Sequence, residues 1–140
     1  MWIDSRLEFS DAQAVTTTAP STNVVDTVVP RNIGKGETLY VVVSVDVAVG
    51  GTTPTFDITL ETDDNVGFAS AATVGTIGPQ ITDVNGTLGA KFVQAIPYSG
   101  YEQYIRLQYT SGGTTPTGTF SAWLTNQEPE SWESTPDAVN

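Results

Sequence analysis

The chain has 140 residues, 39% hydrophobic and only 15% charged, and its 16 Asp and Glu against 5 Lys and Arg leave a formal charge of −11. That length suits one domain able to bury a core, whereas the scattered bases Arg6, Arg31, Lys35, Lys91 and Arg106 make no patch for a nucleic-acid backbone. With neither Cys nor His, the chain has no disulfide, no thiolate or imidazole metal site, and lacks the commonest catalytic base and the best nucleophile.

The opening Met1-Trp2-Ile3-Asp4 has no cationic stretch and no long apolar run, so no secretory leader is expected. Residues 1–22 read as an N-terminal arm, because Ser10 to Thr22 is small and polar. The domain body is expected over residues 23–127, opening with a strand near Asn23–Val29. The clearest strand is Leu39–Val49, where Leu39, Val41, Val43, Val45, Val47 and Val49 alternate with Tyr40, Ser44 and Asp46. Gly50, Gly51 and Pro54 then supply turn chemistry. Beyond them Phe56, Ile58 and Leu60 alternate with Asp57, Thr59 and Glu61, which predicts a hairpin.

A weaker strand, Ala72–Ile77, is followed by a turn at Asp83–Gly86. In the next strand, Ala90–Ile96, Phe92 and Val93 compete for the inward face, and Pro97 ends it. Ile105, Leu107 and Tyr109, then Phe120, Ala122 and Leu124, predict a second hairpin across Gly112–Gly118. No internal repeat is apparent. Residues 128–140, acidic and carrying Pro129 and Pro136, form a C-terminal tail. The Thr- and Val-rich composition favours pleated structure over helix. The expectation is an all-β, antiparallel, two-sheet jelly roll or β-sandwich of about seven to eight strands with extended terminal arms. No membrane span is expected, since the longest apolar run, Leu39–Val43, falls far short of roughly 20 residues.

Carboxylates are the chemistry-bearing candidates. Asp63, Asp64 and Asn65 follow a strand, but Ca²⁺ takes roughly six to eight oxygens and consecutive turn residues rarely converge on one ion. A solvated turn is the better reading, because Asp and Asn side chains bond nearby backbone. Asp83, Asn85 and Gly86 repeat a fragment of a Ca²⁺ loop whose later bidentate Glu is replaced by Gln94, and they too read as a turn. No metal, no cofactor and no enzymatic activity are expected. Only a carboxylate pair of the glycosidase kind would offer an alternative.

The tryptophans suggest contacts instead. If Phe120, Ala122 and Leu124 face inward, Trp123 faces outward, where a large aromatic anchors an interface or is covered by the N-terminal arm. Trp2 and Trp132 sit in segments too polar to bury them locally, so they insert into a neighbour or dock back on their own domain.

The stretch Asp4-Ser5-Arg6-Leu7-Glu8-Phe9-Ser10-Asp11-Ala12-Gln13-Ala14-Val15 resembles the opening of the capsid cement proteins typified by the Bordetella short-tailed phage. Leu39-Tyr40-Val41-Val42-Val43, then Leu60-Glu61-Thr62-Asp63-Asp64-Asn65 with Phe68, and Tyr104-Ile105-Arg106-Leu107 with Tyr109 resemble family segments in the same order. The opening is fairly specific, whereas the Val- and Thr-rich parts would match many β proteins.

The resemblance implies a jelly roll without catalysis, placed on the outer surface of a phage head. There it would clamp neighbouring major capsid protein subunits, with self-association as a dimer, or alternatively a trimer, and no nucleic-acid or membrane partner. On that reading Trp2, Leu7, Phe9, Trp123 and Trp132 are the candidate capsid or subunit contacts. A virion-surface carbohydrate-binding module is the alternative, because jelly rolls also bind sugars.

Overall fold

The computed structural model of the chain describes residues 4–28, 38–97 and 99–126. A short 3-10 turn, Ser5–Leu7, is capped by Asp4, whose side chain accepts from the Arg6 N–H. Seven strands follow: β1 Glu8–Val15, β2 Ala19–Pro20, β3 Val25–Asp26, β4 Tyr40–Asp63, β5 Ala72–Thr82, β6 Lys91–Ala95 and β7 Tyr104–Thr125. All belong to one antiparallel sheet, with the order β1-β7-β4-β5, while β2 and β3 also pair β7 and β6 pairs β4.

Residues 8–15 and 19–20, expected within an arm, are thus strands of the sheet. The strand expected near Asn23–Val29 is reduced to Val25–Asp26, and β5 runs beyond Ile77 to Thr82. Residues 128–140 lie outside the described residues.

Neither expected hairpin forms. β4 and β7 each run straight through their glycine-rich middles and pair from Tyr40↔Thr125 to Asp63↔Tyr104. The physical reason is a feature unseen as a repeat: Gly50-Gly51-Thr52-Thr53-Pro54-Thr55 and Gly112-Gly113-Thr114-Thr115-Pro116-Thr117 are the same hexapeptide. They face each other about a local pseudo-twofold, with Gly50↔Thr117, Thr52↔Thr114 and Thr55↔Gly112.

Gly51 (φ 120°) and Gly113 (φ 89°) occupy equivalent positions, as do Thr53 (φ 47°) and Thr115 (φ 49°). Four positive-φ residues in two strands produce bulges rather than reversals, and bulges bend and twist a ribbon. Every register shift of the β4–β7 ladder falls between Val45 and Thr55.

The bend lets both halves of the ribbon share one core. The near half joins β4 residues 40–47 to β7 residues 119–125, flanked by β1 and β6; the far half joins β4 residues 55–63 to β7 residues 104–112, flanked by β2, β3 and β5. Phe120, opposite Val45 in the near half, touches Phe56 edge-on at 5.2 Å and stacks on Tyr109 at 5.6 Å, both from the far half.

The bulges also shift parity, so that Val41, Val43 and Val45 face inward before the bend and Phe56, Ile58 and Leu60 after it. Ile105, Leu107, Phe120 and Leu124 complete the expected core, and Phe92, not Val93, takes the inward place in β6. A buried polar tie crosses it: Ser10 Oγ and the Tyr109 hydroxyl are 2.8 Å apart, and Ser10 Oγ also donates to Gln13 Oε1 at 2.7 Å.

Candidate interaction surface

The expected contact residues divide sharply. Trp2 and Trp132 lie outside the described residues. Leu7, at the end of the 3-10 turn, is 36% exposed and remains available to a partner. Phe9 is not available: it is fully buried in the core, and its carbonyl accepts from the Asn23 N–H at 2.9 Å. The polarity of the surrounding residues suggested a mobile arm, but Ser10 and Gln13 spend their polar groups on the bonds that hold β1 against β7 and the β2 segment.

Trp123, expected to be either an exposed anchor or an aromatic covered by the N-terminal arm, is not exposed. Strand alternation puts it opposite the core-facing Ala122 and Leu124, outside the main core cluster. Yet it is only 6% exposed, flanked in the ladder by Glu8 of β1 and Val42 of β4. Its indole Nε1 is buried without a hydrogen-bond partner among the described residues.

The acidic turn is built as a loop closure. Asp63, fully buried at the end of β4, accepts from the Asn65 N–H at 3.0 Å, the Ser70 N–H at 2.8 Å and Ser70 Oγ at 3.1 Å. Burial alone would raise its pKa, but these donors outweigh it and hold the carboxyl below the usual carboxylate range. Asn65 Oδ1 accepts from the Gly67 N–H, so its side chain closes the same turn. Arg106 seals the loop from β7, donating to Glu61 at 2.8 Å and lying 4.2 Å over the Phe68 ring. Carboxylate oxygens of Asp63, Asp64 and Glu102 lie within 4.8 Å of one another. Of these, Asp63 already spends its lone pairs on backbone and serine donors, which gives it a structural role.

The second turn presents the features that sequence reasoning missed. Asn85 organises residues 82–86: its Oδ1 accepts from the Thr82 N–H at 2.6 Å and its amide donates to the Gln80 carbonyl at 3.0 Å. The loop then lies along β4 through Val49 N–H to Gly86 O and Gly89 N–H to Val45 O, both 2.8 Å. On this framework Val84 and Leu88 are 82% and 72% exposed, beside Val47 at 57%. A signal was present, since large aliphatic residues inside a run of Asp, Asn, Gly and Thr have no core to reach.

The described residues contain no helix long and apolar enough to cross a membrane. No curated protein matches the chain. A family model, Bbp16, matches residues 9–124, from the first core residue of β1 to the last of β7. That span is most of the chain and holds the core that the described residues form, so the chain belongs to the Bbp16 family of Bordetella phage proteins, which points to a virion-associated structural protein.

Proposed function

We propose that this chain is a cement protein of a phage head: it binds the outer surface of the assembled shell and holds neighbouring major capsid protein subunits together. The family match over residues 9–124 carries the reading. The formal charge of −11 supports an outward position, because packaged DNA repels so acidic a surface. The bent ribbon, flanked by β1 and β6 in its near half and by β2, β3 and β5 in its far half around one core, is read as a jelly roll or two-sheet sandwich. A body cross-linked this way transmits load between the subunits it bridges without relying on a disulfide.

Such a protein gains affinity by touching two or more coat subunits at once, the second contact forming at high effective concentration. The site therefore exists only after assembly. Self-association as a dimer, or a trimer, suits a protein placed on a symmetry axis of a shell. Co-sedimentation tests the reading: purified protein should pellet with expanded heads lacking it, raise their thermal tolerance, and bind free coat subunits weakly. Failure to pellet, together with binding on a glycan array, would favour a carbohydrate-binding surface module instead.

A further inference from the structure

The rigid turn between β5 and β6 carries two aliphatic side chains that do nothing for the fold. Val84 and Leu88 are 82% and 72% exposed, and the loop bonds at Val45 and Val49 bring its Leu88 stretch alongside the exposed Val47. Asn85, Thr82 and β4 hold the backbone throughout, including Val84 N–H to Thr82 Oγ1 at 3.2 Å and Ala90 N–H to Thr87 O at 3.0 Å. A pre-ordered loop loses little conformational freedom on docking, and covering exposed aliphatic side chains removes apolar surface from water.

The surroundings select the occupant. Asp83 is exposed within the turn and Asp57 is tied to β5 by the Gln80 amide at 2.9 Å, while Asp46, next to Val47 in the chain, accepts from Ser121 Oγ; among the described residues Lys91, at the start of β6, is the base that adjoins the loop. A second copy of this chain joined through this same face would set the same acidic groups against each other. Like charges set face to face oppose association. A partner with an apolar cleft rimmed by Lys or Arg complements both features.

We infer that the 83–90 loop with Val47 is the anchor that seats this protein in an apolar, basic-rimmed cleft on the coat shell. This rests on the head-binding reading and gives it a contact surface. The test compares wild type, the double variant V84S/L88S and the control V66S, whose site is an exposed valine on the other long turn. Each is titrated against heads lacking the chain, with melting curves and light scattering on the free proteins.

The double variant should melt like wild type, since neither side chain is packed, but bind heads roughly tenfold or more weakly, while V66S binds normally. Asp83→Asn should reduce the salt dependence of binding. Equal head affinity of V84S/L88S and wild type overturns the inference and leaves the cement reading standing. A variant that binds weakly only because it has lost an oligomer present in wild type makes the occupant a second copy, and also overturns it. If wild type itself does not bind heads, both readings fall.

Discussion

Gly113→Ala tests the architecture at its most demanding point. Gly113 has φ 89°, and a Cβ added there would collide with the carbonyl oxygen of Thr53 and lie 2.9 Å from that of Thr52. Those oxygens belong to the paired hexapeptide, so the neighbour cannot yield as a flexible side chain would. The left-handed backbone alone costs an L residue about 1–2 kcal/mol, and overpacking against fixed backbone adds about 1–3.

The sum is a large share of the roughly 5–15 kcal/mol that holds a domain of this size together. With a urea dependence of about 1–3 kcal/mol per molar, the denaturation midpoint should fall by roughly 1–2 M. Gly100→Ala separates the two contributions, because Gly100 has a similar φ of 98° but nothing within 4 Å of the added atom. It should lose only the backbone part. Gly51→Ala, whose Cβ would lie 2.6 Å from the Thr115 carbonyl oxygen, should resemble Gly113→Ala. Equal, small effects at all three positions would refute the claim that the twin hexapeptides are locked against each other.

Val43→Asp places an unpaired carboxylate at a fully buried position of β4 and should remove several kcal/mol, leaving little folded protein by circular dichroism. Asp63 is held below the usual carboxylate range, so its stabilisation is present above the unfolded pKa and lost as pH falls through the folded one. Asp63→Asn should therefore be less stable than wild type near neutrality, with urea midpoints that converge as the solution is acidified. Burial pushes the Tyr101 and Tyr109 hydroxyls up to about 12. Ultraviolet titration should show both ionising late, and stability should decline above pH 10, where the unfolded chain releases these protons and the folded one keeps them.

Much of the core could be read from alternation because each half of the ribbon obeys period two: Val41, Val43 and Val45, then Phe56, Ile58 and Leu60. The connection between the halves could not. Gly-Gly and Pro between two alternating runs is ordinary hairpin chemistry, and nothing local to residues 50–55 says that the chain continues. The deciding information is non-local. It lies in the identity of residues 50–55 with residues 112–117, because matched positive-φ positions on both strands allow a paired ribbon to bulge symmetrically where one such segment alone would turn back. Searching for the repeat before assigning turns would have exposed it.

The contact residues were harder for a related reason. Polarity around Phe9 suggested a loose arm, yet Ser10 and Gln13 are polar because their groups bond Tyr109 and the β2 backbone, and Phe9 between them fills the core. Trp123 has the outward strand position but not the exposure, since alternation assigns a face and says nothing about what covers it. Val84 and Leu88 invert the pattern. Isolated aliphatics in a polar turn belong to no periodic run, so hydrophobic periodicity passes over them, although a turn fixed by Asn85 cannot tuck them inward. The formal charge of −11 favours solubility, so the chain can carry exposed aliphatics such as Val84 and Leu88 on an ordered loop. On the proposed reading, a contact with another surface is what they serve, and an assembled shell would offer that surface only when the subunits it must bridge are already in place.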